Sequence, residues 1–311
     1  MRHVIVTFAL VGALLGCGKQ AAPTPHGPNV ADLVRRSSNE DDLQDAKLAY
    51  DQIDALGDAA GPELAKMIEG RLEPTVRFFA VSFLGACRGP EAESALSKIL
   101  QSKDRRDISA AIIGLSQRPN PKLFDNLVAC ARAKGTNLYS LAQVFEAYHD
   151  RRAVPVLLEL LGEKGANSTG QAAVCEALGT IGDPAAEPAL RSLLNDPKPE
   201  LRIAAPVALA RLDPKFDKHK YVPQVAHEMR NHDELVRCAA VNALRDLDDA
   251  SAVGPLVAAL KDPSMIVRRD AALALGHLRA KGASKEVQLL LTDEDEPVRD
   301  AAKRALTMLK E

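Results

Sequence analysis

A segment of 31 residues recurs along this chain, and no other feature of the sequence constrains the fold as strongly. The stretches VRFFAVSFLG at 76–85 and VRRDAALALG at 267–276 illustrate it. Both begin with Val-Arg, carry an alanine three residues after the arginine, and carry Leu-Gly at the seventh and eighth positions after it. A fixed period of this length indicates a repeat protein, in which each unit folds as one supersecondary element.

Two columns of the repeat predict its local structure. We term the position of Arg77 the anchor, and the successive anchors are Arg77, Ile108, Tyr139, Gln171, Arg202, Arg237, Arg268 and Arg299. Alanine stands three residues after seven of these eight anchors, and leucine stands seven residues after seven of them. The two columns are four positions apart, so they share one face of a helix. Each anchor therefore lies at the start of a helix, termed helix B, whose alanine and leucine face packs closely on a neighbouring helix.

Each repeat also contains an earlier helix, termed helix A. The segments 183–196 and 251–262 show it, and Asp183 is placed as an N-cap followed by Pro184 at the first helical position. One such pair cannot bury its apolar face alone, so the pairs must stack. The sequence therefore predicts an all-α solenoid of about eight repeats over residues 41–311, with 46–58 as part of an N-terminal cap.

The pattern resembles the HEAT-like repeats of the phycobilisome-lyase type over nearly all of residues 41–311. In that family an aspartate lies in the turn and an arginine opens helix B. The residues six positions before the last four anchors fit this pattern: Asp196, Asn231, Asp262 and Asp293. The resemblance implies a right-handed superhelix whose B helices line an extended concave face. Because these pairs recur with the repeat, we interpret them as structural ladders and not as acid–base dyads.

The N-terminus predicts export and lipid attachment. An apolar run at 4–15 is too short to cross a bilayer but has the length of a signal-peptide core. The sequence Leu-Leu-Gly-Cys that ends at Cys17 resembles the bacterial lipobox. We therefore predict a signal peptide at 1–16, a lipidated Cys17, and a flexible Pro- and Gly-rich tether at 17–40. An ordinary signal peptide and a buried N-terminal strand are the alternatives.

The same resemblance predicts where the protein resides. A lipidated cysteine implies a protein anchored to a membrane of the bacterial cell envelope. Gly18 is not the acidic residue that often retains such lipoproteins at the inner membrane, which favours the outer membrane, facing the periplasm. The leaflet stays open.

Charge and cysteine content narrow the possible functions. The net charge of −2 argues against a nucleic-acid-binding surface, which is usually strongly basic. Four cysteines follow Cys17, and the repeat register places them apart: Cys87, Cys130, Cys175 and Cys238. Stacked units lie ~10 Å apart, beyond the reach of a disulfide. We predict small buried thiols and no disulfide.

No motif in the chain predicts catalysis. The sequence HEMRNH at 227–232 superficially resembles the zincin pattern, but its histidines, His227 and His232, are five residues apart and do not share a helix face. This single His-Glu pair also excludes the HEAT-repeat enzyme deoxyhypusine hydroxylase. The sequence thus predicts a non-enzymatic protein with no catalytic residue, metal or cofactor. A phycobilin-lyase-like or other cofactor-handling HEAT-repeat enzyme is the alternative.

The remaining candidate site is a surface for a protein or peptide segment. The first, fifth and ninth positions after each anchor lie opposite the alanine and leucine columns and are apolar mainly in the first five repeats. The predicted partner-binding residues are Phe78, Ile113, Val144, Tyr148, Ile203, Val207 and Arg211. The alternative is that several of them pack between neighbouring B helices. Pro206, inside the same segment as the last of them, predicts either a kinked helix or a late helix start.

Overall fold

The computed structural model describes residues 29–39, 41–133, 135–163 and 165–310. These residues form nine helical hairpins and contain no β-strand. The A helices are α1 (Val30–Ser37), α3 (Gly61–Glu69), α5 (Pro90–Leu100), α7 (Phe124–Arg132), α9 (Val154–Leu161), α11 (Glu187–Ser192), α13 (Val222–Glu228), α15 (Val253–Ala259) and α17 (Ser284–Leu289). The B helices are α2 (Leu43–Leu56), α4 (Pro74–Ala86), α6 (Arg105–Gln117), α8 (Leu138–Tyr148), α10 (Ser168–Ile181), α12 (Pro199–Leu212), α14 (Glu234–Leu247), α16 (Met265–His277) and α18 (Glu296–Lys310). The predicted all-α solenoid, with eight repeats behind an N-terminal hairpin, is confirmed.

Short polar side chains and prolines set where the B helices begin. The carboxylate of Asp104 accepts hydrogen bonds from the first-turn amides of α6, and the hydroxyl of Ser264 accepts one in α16. Pro74 and Pro199 occupy the first positions of α4 and α12, where no backbone donor is needed. These local signals fix the helix boundaries, whereas tertiary packing supplies most of the helical stability.

The columns of the repeat form the core between B helices. Alanines such as Ala80 and Ala271, and leucines such as Leu84 and Leu275, are fully buried. Successive B helices contact each other more extensively than successive A helices do. This closer packing agrees with the concave B-helix face that the resemblance implies.

Glycines bring some B helices into backbone contact. A Cβ atom on Gly114 of α6 would lie 2.1 Å from the carbonyl oxygen of Ser82 and 2.6 Å from the Cα atom of Gly85 in α4. On Gly179 of α10 it would lie 2.7 Å from the Cα atom of Ala208 in α12. These positions therefore tolerate no side chain without separation of the helices.

The helical body begins earlier than the sequence indicated. Helix α1 buries Val30, Leu33 and Val34 in the common core and caps the stack through its contact with α2. The prediction that the tether extends to residue 40 is therefore wrong for residues 29–39. The predicted signal peptide, Cys17 and the tether up to residue 28 lie outside the described residues. None of the described helices combines the length and apolar character that a membrane span requires.

Helix α12 is the place where two hydrophobic clusters meet. Ile203 and Val207 belong to the cluster that continues to Leu309, whereas Ala205 and Leu209 belong to the cluster that begins at Val30. Pro206 lies buried inside this continuous helix, which begins at Pro199 and so excludes a late start.

The four described cysteines are separate thiols in the helical core. Cys87, Cys130 and Cys175 are buried, as predicted, and Cys238 is half-buried. Burial raises the pKa of Cys87 to about 11 and that of Cys175 to about 12, so both are protonated at neutral pH.

Candidate functional site

The Arg-carboxylate pairs of the last repeats are a buried structural ladder. Arg268 at the start of α16 donates to both carboxylate oxygens of Asp293 at 2.9 Å. Its remaining donors reach Asp295 at 2.9 Å and the carbonyl oxygen of Asp262, six residues earlier, at 2.9 Å. The arginine thus ties its own turn to the turn of the following repeat.

The same arrangement recurs one joint earlier. Arg237 at the start of α14 binds Asp262 at 2.9 and 3.0 Å and the carbonyl oxygen of Asn231 at 3.1 Å. Asp262 in turn caps its own loop by accepting the amide hydrogen of Ser264 at 2.8 Å. The structural interpretation of these pairs agrees with the geometry, with the refinement that each arginine binds the carboxylate of the next turn and only the carbonyl of its own.

One rung of the ladder uses a substitute acid. Asn231 stands where other turns have aspartate, and the preceding arginine, Arg202, instead binds the buried carboxylate of Glu228 at 2.6 Å. This contact assigns a structural role to Glu228 of the HEMRNH sequence. His227 and His232 beside it are exposed. The described residues contain no group of three or more His, Cys, Asp or Glu side chains that could hold a metal ion.

Part of the predicted surface is buried between helices. Val144 in α8 and Ile203 and Val207 in α12 are at most 4% exposed. A valine side chain is short, so residues of the helices on either side cover it. The prediction that these three residues contact a partner is therefore wrong, and the alternative of packing between B helices holds for them.

The other four predicted residues lie in different environments. Phe78 in α4 and Ile113 in α6 are half-buried on the B-helix face, by which we mean the solvent side of the row of B helices. Tyr148, at the end of α8, donates a hydrogen bond from its hydroxyl to the carbonyl oxygen of Asn120 at 2.8 Å and so links α8 to the turn of the preceding hairpin. Arg211 in α12 is exposed and ion-paired with Asp246 at 2.8 Å.

Two exposed or half-exposed groups on α8 extend the surface beyond the prediction. Tyr139, an anchor in the repeat, is 43% exposed. Glu146 occupies a position where the other repeats have leucine, and it accepts a hydrogen bond from Thr180 of α10 at 2.9 Å. Neither was predicted to bind a partner. Each departs from its column, and that departure is the signal through which sequence analysis could have found it.

We term Phe78, Ile113 and Tyr139 the apolar B-helix patch. They lie on three successive B helices, α4, α6 and α8, and none is fully covered. Glu176 of α10 follows at the same repeat position as Ile113, and its side chain is exposed. The B-helix face therefore passes from apolar to acidic between α6 and α10.

A Ser-His-Asp group between repeats is not arranged for catalysis. Nδ1 of the exposed His219 lies 3.1 Å from Asp249 and 3.4 Å from the hydroxyl of Ser251, so both contacts use the same ring nitrogen. A nucleophilic triad requires the serine and the carboxylate on opposite ring nitrogens. The amide and hydroxyl of Ser251 hold the pKa of Asp249 at about 2, as expected of a turn cap.

Several solved structures contain helical repeats similar to those of this chain. The complex of CpcE and CpcF of phycocyanin lyase from Nostoc sp. PCC7120 is 18% identical, with a TM-score of 0.44 over 94% of this chain and 99% of that chain. Human deoxyhypusine hydroxylase is 19% identical, with a TM-score of 0.31 over 85% of this chain and 98% of that chain. A designed armadillo repeat protein in complex with the peptide (KR)4 is 18% identical, with a TM-score of 0.30 over 91% of this chain and all of that chain.

The family assignment comes from sequence. The comparison with curated proteins found no match to this chain. HEAT repeats match residues 135–210, 154–226 and 222–307, which together span more than half of the sequence. Together with the nine stacked helical hairpins of the described residues, this match shows that the chain belongs to the HEAT-repeat family.

Proposed function

We propose that this protein is a non-catalytic scaffold of the bacterial envelope, anchored by lipid on Cys17, that binds a segment of another protein across its B-helix face. HEAT repeats act in general as scaffolds for protein interaction, which supports the coarser part of the proposal. The observation that carries the finer part is the apolar B-helix patch. Its aromatic and aliphatic side chains are partly exposed on three successive helices of a stack whose alanine and leucine columns are mostly buried.

The architecture suits such binding because backbone contacts between the B helices hold the surface in place. Ile113 lies directly before Gly114, whose backbone contact with Gly85 fixes α6 against α4. A preformed surface loses little conformational entropy when it binds a partner. Aromatic side chains such as Phe78 and Tyr139 are also frequent among the residues that contribute most to binding.

The anchoring part of the proposal rests on the sequence around Cys17 and has its own test. Mass spectrometry of the N-terminal peptide should show a cleaved, lipid-modified Cys17, and the protein should sediment with membranes. Cys17→Ser should abolish the modification and release the protein from the membrane fraction. A Cys17→Ser protein that sediments like the unaltered one would contradict lipid anchoring.

The binding part is tested by photo-crosslinking in cells. A photo-reactive amino acid at Ile113 and, separately, at Tyr139 should yield the same crosslinked protein. The matched control is Asp125, exposed on helix α7 of the opposite face, which should not yield it. The substitution Phe78→Asp should weaken the crosslink at Ile113 while circular dichroism shows an unchanged helical content.

Two outcomes would count against scaffolding. If crosslinks form equally from Asp125, the B-helix face has no special role. If the purified protein carries a bound chromophore or other cofactor, the cofactor-handling enzyme that the sequence leaves as an alternative takes precedence.

A further inference from the structure

The acidic end of the B-helix face carries a charge that the described residues do not neutralise. Glu176 projects from the middle of α10 and has no hydrogen-bond or ion-pair partner among residues 29–39, 41–133, 135–163 and 165–310. A second carboxylate lies beside it. Thr180, one turn later on the same helix face, donates to Glu146 of α8 at 2.9 Å, which brings Glu146 next to Glu176.

The nearby cations already have partners. Arg211 of α12 is bound to Asp246 at 2.8 Å. Arg245 of α14 also binds Asp246 at 2.9 Å and the side chain of Asn242 at 3.0 Å. Counting these charged groups together with Glu146 and Glu176 leaves one negative charge in excess. The excess sits on α8 and α10, which supply no basic residue to this face.

The exposed carboxylate of Glu176 has apolar neighbours on both sides. The residues at its repeat position in the two flanking B helices, Val144 and Val207, are buried and apolar. Glu176 is exposed, but the packing around it partly desolvates its carboxylate and raises its pKa; the carboxylate of Glu146 raises the pKa further, whereas Arg211 lowers it. A cation supplied from outside would stabilise the charged form that this environment penalises.

The apolar patch lies at a fixed spacing from this carboxylate. Ile113 on α6 and Glu176 on α10 hold the same repeat position two B helices apart. Packed helices lie ~8–10 Å apart, so the separation is roughly 16–20 Å, which an extended chain crosses with about five or six residues. At the opposite end of the row, the first and fifth repeat positions of α2 are Lys47 and Asp51, which carry opposite charges.

We propose that the occupant of the B-helix face is an extended protein segment that places an arginine or lysine against Glu176 and Glu146. The same segment places an aromatic or aliphatic side chain, about five or six residues away, against Phe78 and Ile113. The inference rests on the proposed scaffold function and specifies the chemistry of its partner. Charge complementarity at one end and apolar contact at the other give the segment both a register and a direction.

Synthetic peptides test this directly on the soluble chain that begins after Cys17. The first fluorescent peptide carries two phenylalanines and two arginines separated by a Gly-Ser spacer of about five residues. The second replaces the arginines with glutamates, and the third replaces the phenylalanines with alanines. The first should bind at least ~10-fold more tightly than either of the others, as measured by fluorescence anisotropy.

Matched variants locate the contact. Glu176→Gln should weaken binding of the first peptide by ~10-fold, because it removes the charge from a charge-assisted hydrogen bond. Glu91→Gln, on the exposed side of α5, should leave binding unchanged. Circular dichroism of both variants verifies that the fold is intact.

The outcomes separate this inference from the scaffold proposal. Equal affinity for the arginine and glutamate peptides, an unaffected Glu176→Gln variant, or no binding at millimolar peptide would each overturn the basic segment. If the crosslinks from Ile113 and Tyr139 nevertheless form in cells, the scaffold function stands and only the stated chemistry of its partner is wrong. If those crosslinks also fail, the proposed function fails with it.

Discussion

The joints between successive B helices are built differently in two regions of the stack. An arginine crosses each joint from α12 to α18, and Arg77 crosses the joint from α4 to α6 by binding Asp107 at 2.7 Å. The three joints from α6 to α12 have other anchors: Ile108, Tyr139 and Gln171. Gln171 makes the nearest equivalent, donating to the carbonyl oxygen of Leu161 and accepting from Lys198, both at 2.7 Å. The hairpin architecture is the same in both regions, so the ladder is one of two ways to hold it.

Most of the candidate surface lies in the region without arginine anchors, and Phe78 extends it onto α4, whose anchor is Arg77. Helix α8 has Tyr139 in place of an arginine and Glu146 in place of a leucine. Tyr139 is exposed, and the half-buried Glu146 accepts a hydrogen bond from Thr180 of α10. Functional sites are where a sequence is expected to depart from the rules that specify its fold. We infer that loss of the ladder in these repeats releases positions that the laddered repeats must devote to structure.

The strongest test of this difference removes one arginine of the ladder. Arg268→Met leaves Asp293 and Asp295 without their shared partner. Removing one member of a buried ion pair typically destabilises by ~3–5 kcal/mol. Urea unfolding should show a loss of this size, and hydrogen exchange should show that α17 and α18 lose protection first, because neighbouring repeats stabilise one another.

The same substitution at a ladder-free anchor provides the contrast. Gln171→Met removes a neutral hydrogen bond to Leu161 and one from the Lys198 ammonium, and it should cost ~1–3 kcal/mol, less than Arg268→Met. If Arg268→Met and Gln171→Met destabilise the protein equally, the two kinds of joint do not differ in the way described.

The substitute acid allows a rung to be broken and rebuilt. Glu228→Gln removes the charged partner of Arg202 and should cost roughly 1.5–3 kcal/mol. Asn231→Asp alone should change little, but combined with Glu228→Gln it should recover part of the loss, because it restores the aspartate found in the later turns. Thermal unfolding of the three variants measures the coupling. A double variant no more stable than Glu228→Gln would show that residue 231 is not equivalent to Asp262.

The repeat columns predicted the fold because they are local. Ala80 and Leu84 share one helix face because they are four residues apart, regardless of the structure of the neighbouring repeat. A constant spacing of about 31 residues then indicates that each repeat has the same structure. The repeat columns do not predict whether the side chain at the fifth position after the anchor is exposed. Ile113 and Glu176 reach solvent there, whereas Val144 does not, since the side chains of both adjacent helices decide what is covered.

The start of the helical body was missed for a related reason. Helix α1 is short, and its buried residues, Val30, Leu33 and Val34, form one turn of apolar pattern after a proline-rich stretch. So short a segment is stable as a helix only through its contacts with α2 and α4. Leu33 stands 31 residues before the buried Leu64 of α3, so α1 keeps the register of the repeat. The alanine and leucine columns belong to the B helices, however, and so they do not mark where an A helix lies.

A pair of glycines at the same repeat position sharpens the comparison further. Gly179→Ala in the ladder-free joint would place a Cβ atom 2.7 Å from the Cα atom of Ala208 and should cost ~1–3 kcal/mol. Gly276→Ala in a laddered joint meets Ala305 only at 3.0 Å and should cost less. Gly254→Ala, in α15 with no atom within 4 Å, is the control and should stabilise by ~0.5–1 kcal/mol. Calorimetric melting that ranks Gly276→Ala as more damaging than Gly179→Ala would show that the ladder-free joint is not the one held by close backbone approach.

The mildest test of the ladder uses pH. Hydrogen bonds from Arg268 hold the pKa of Asp293 below its usual value of 3.8. Since the folded-state pKa is depressed, the unfolded chain takes up this proton first as the pH falls. The stability from this group is therefore fully present above about pH 4 and is lost as the pH falls through the folded-state pKa. Asp293→Asn should melt below the unaltered protein at pH 7, where the difference is about 1–2 kcal/mol because Asp295 still binds the arginine. The gap between the two melting temperatures should narrow from pH 4 to pH 2, and a gap that stays constant over this range would mean that the Asp293 charge does not contribute to the joint.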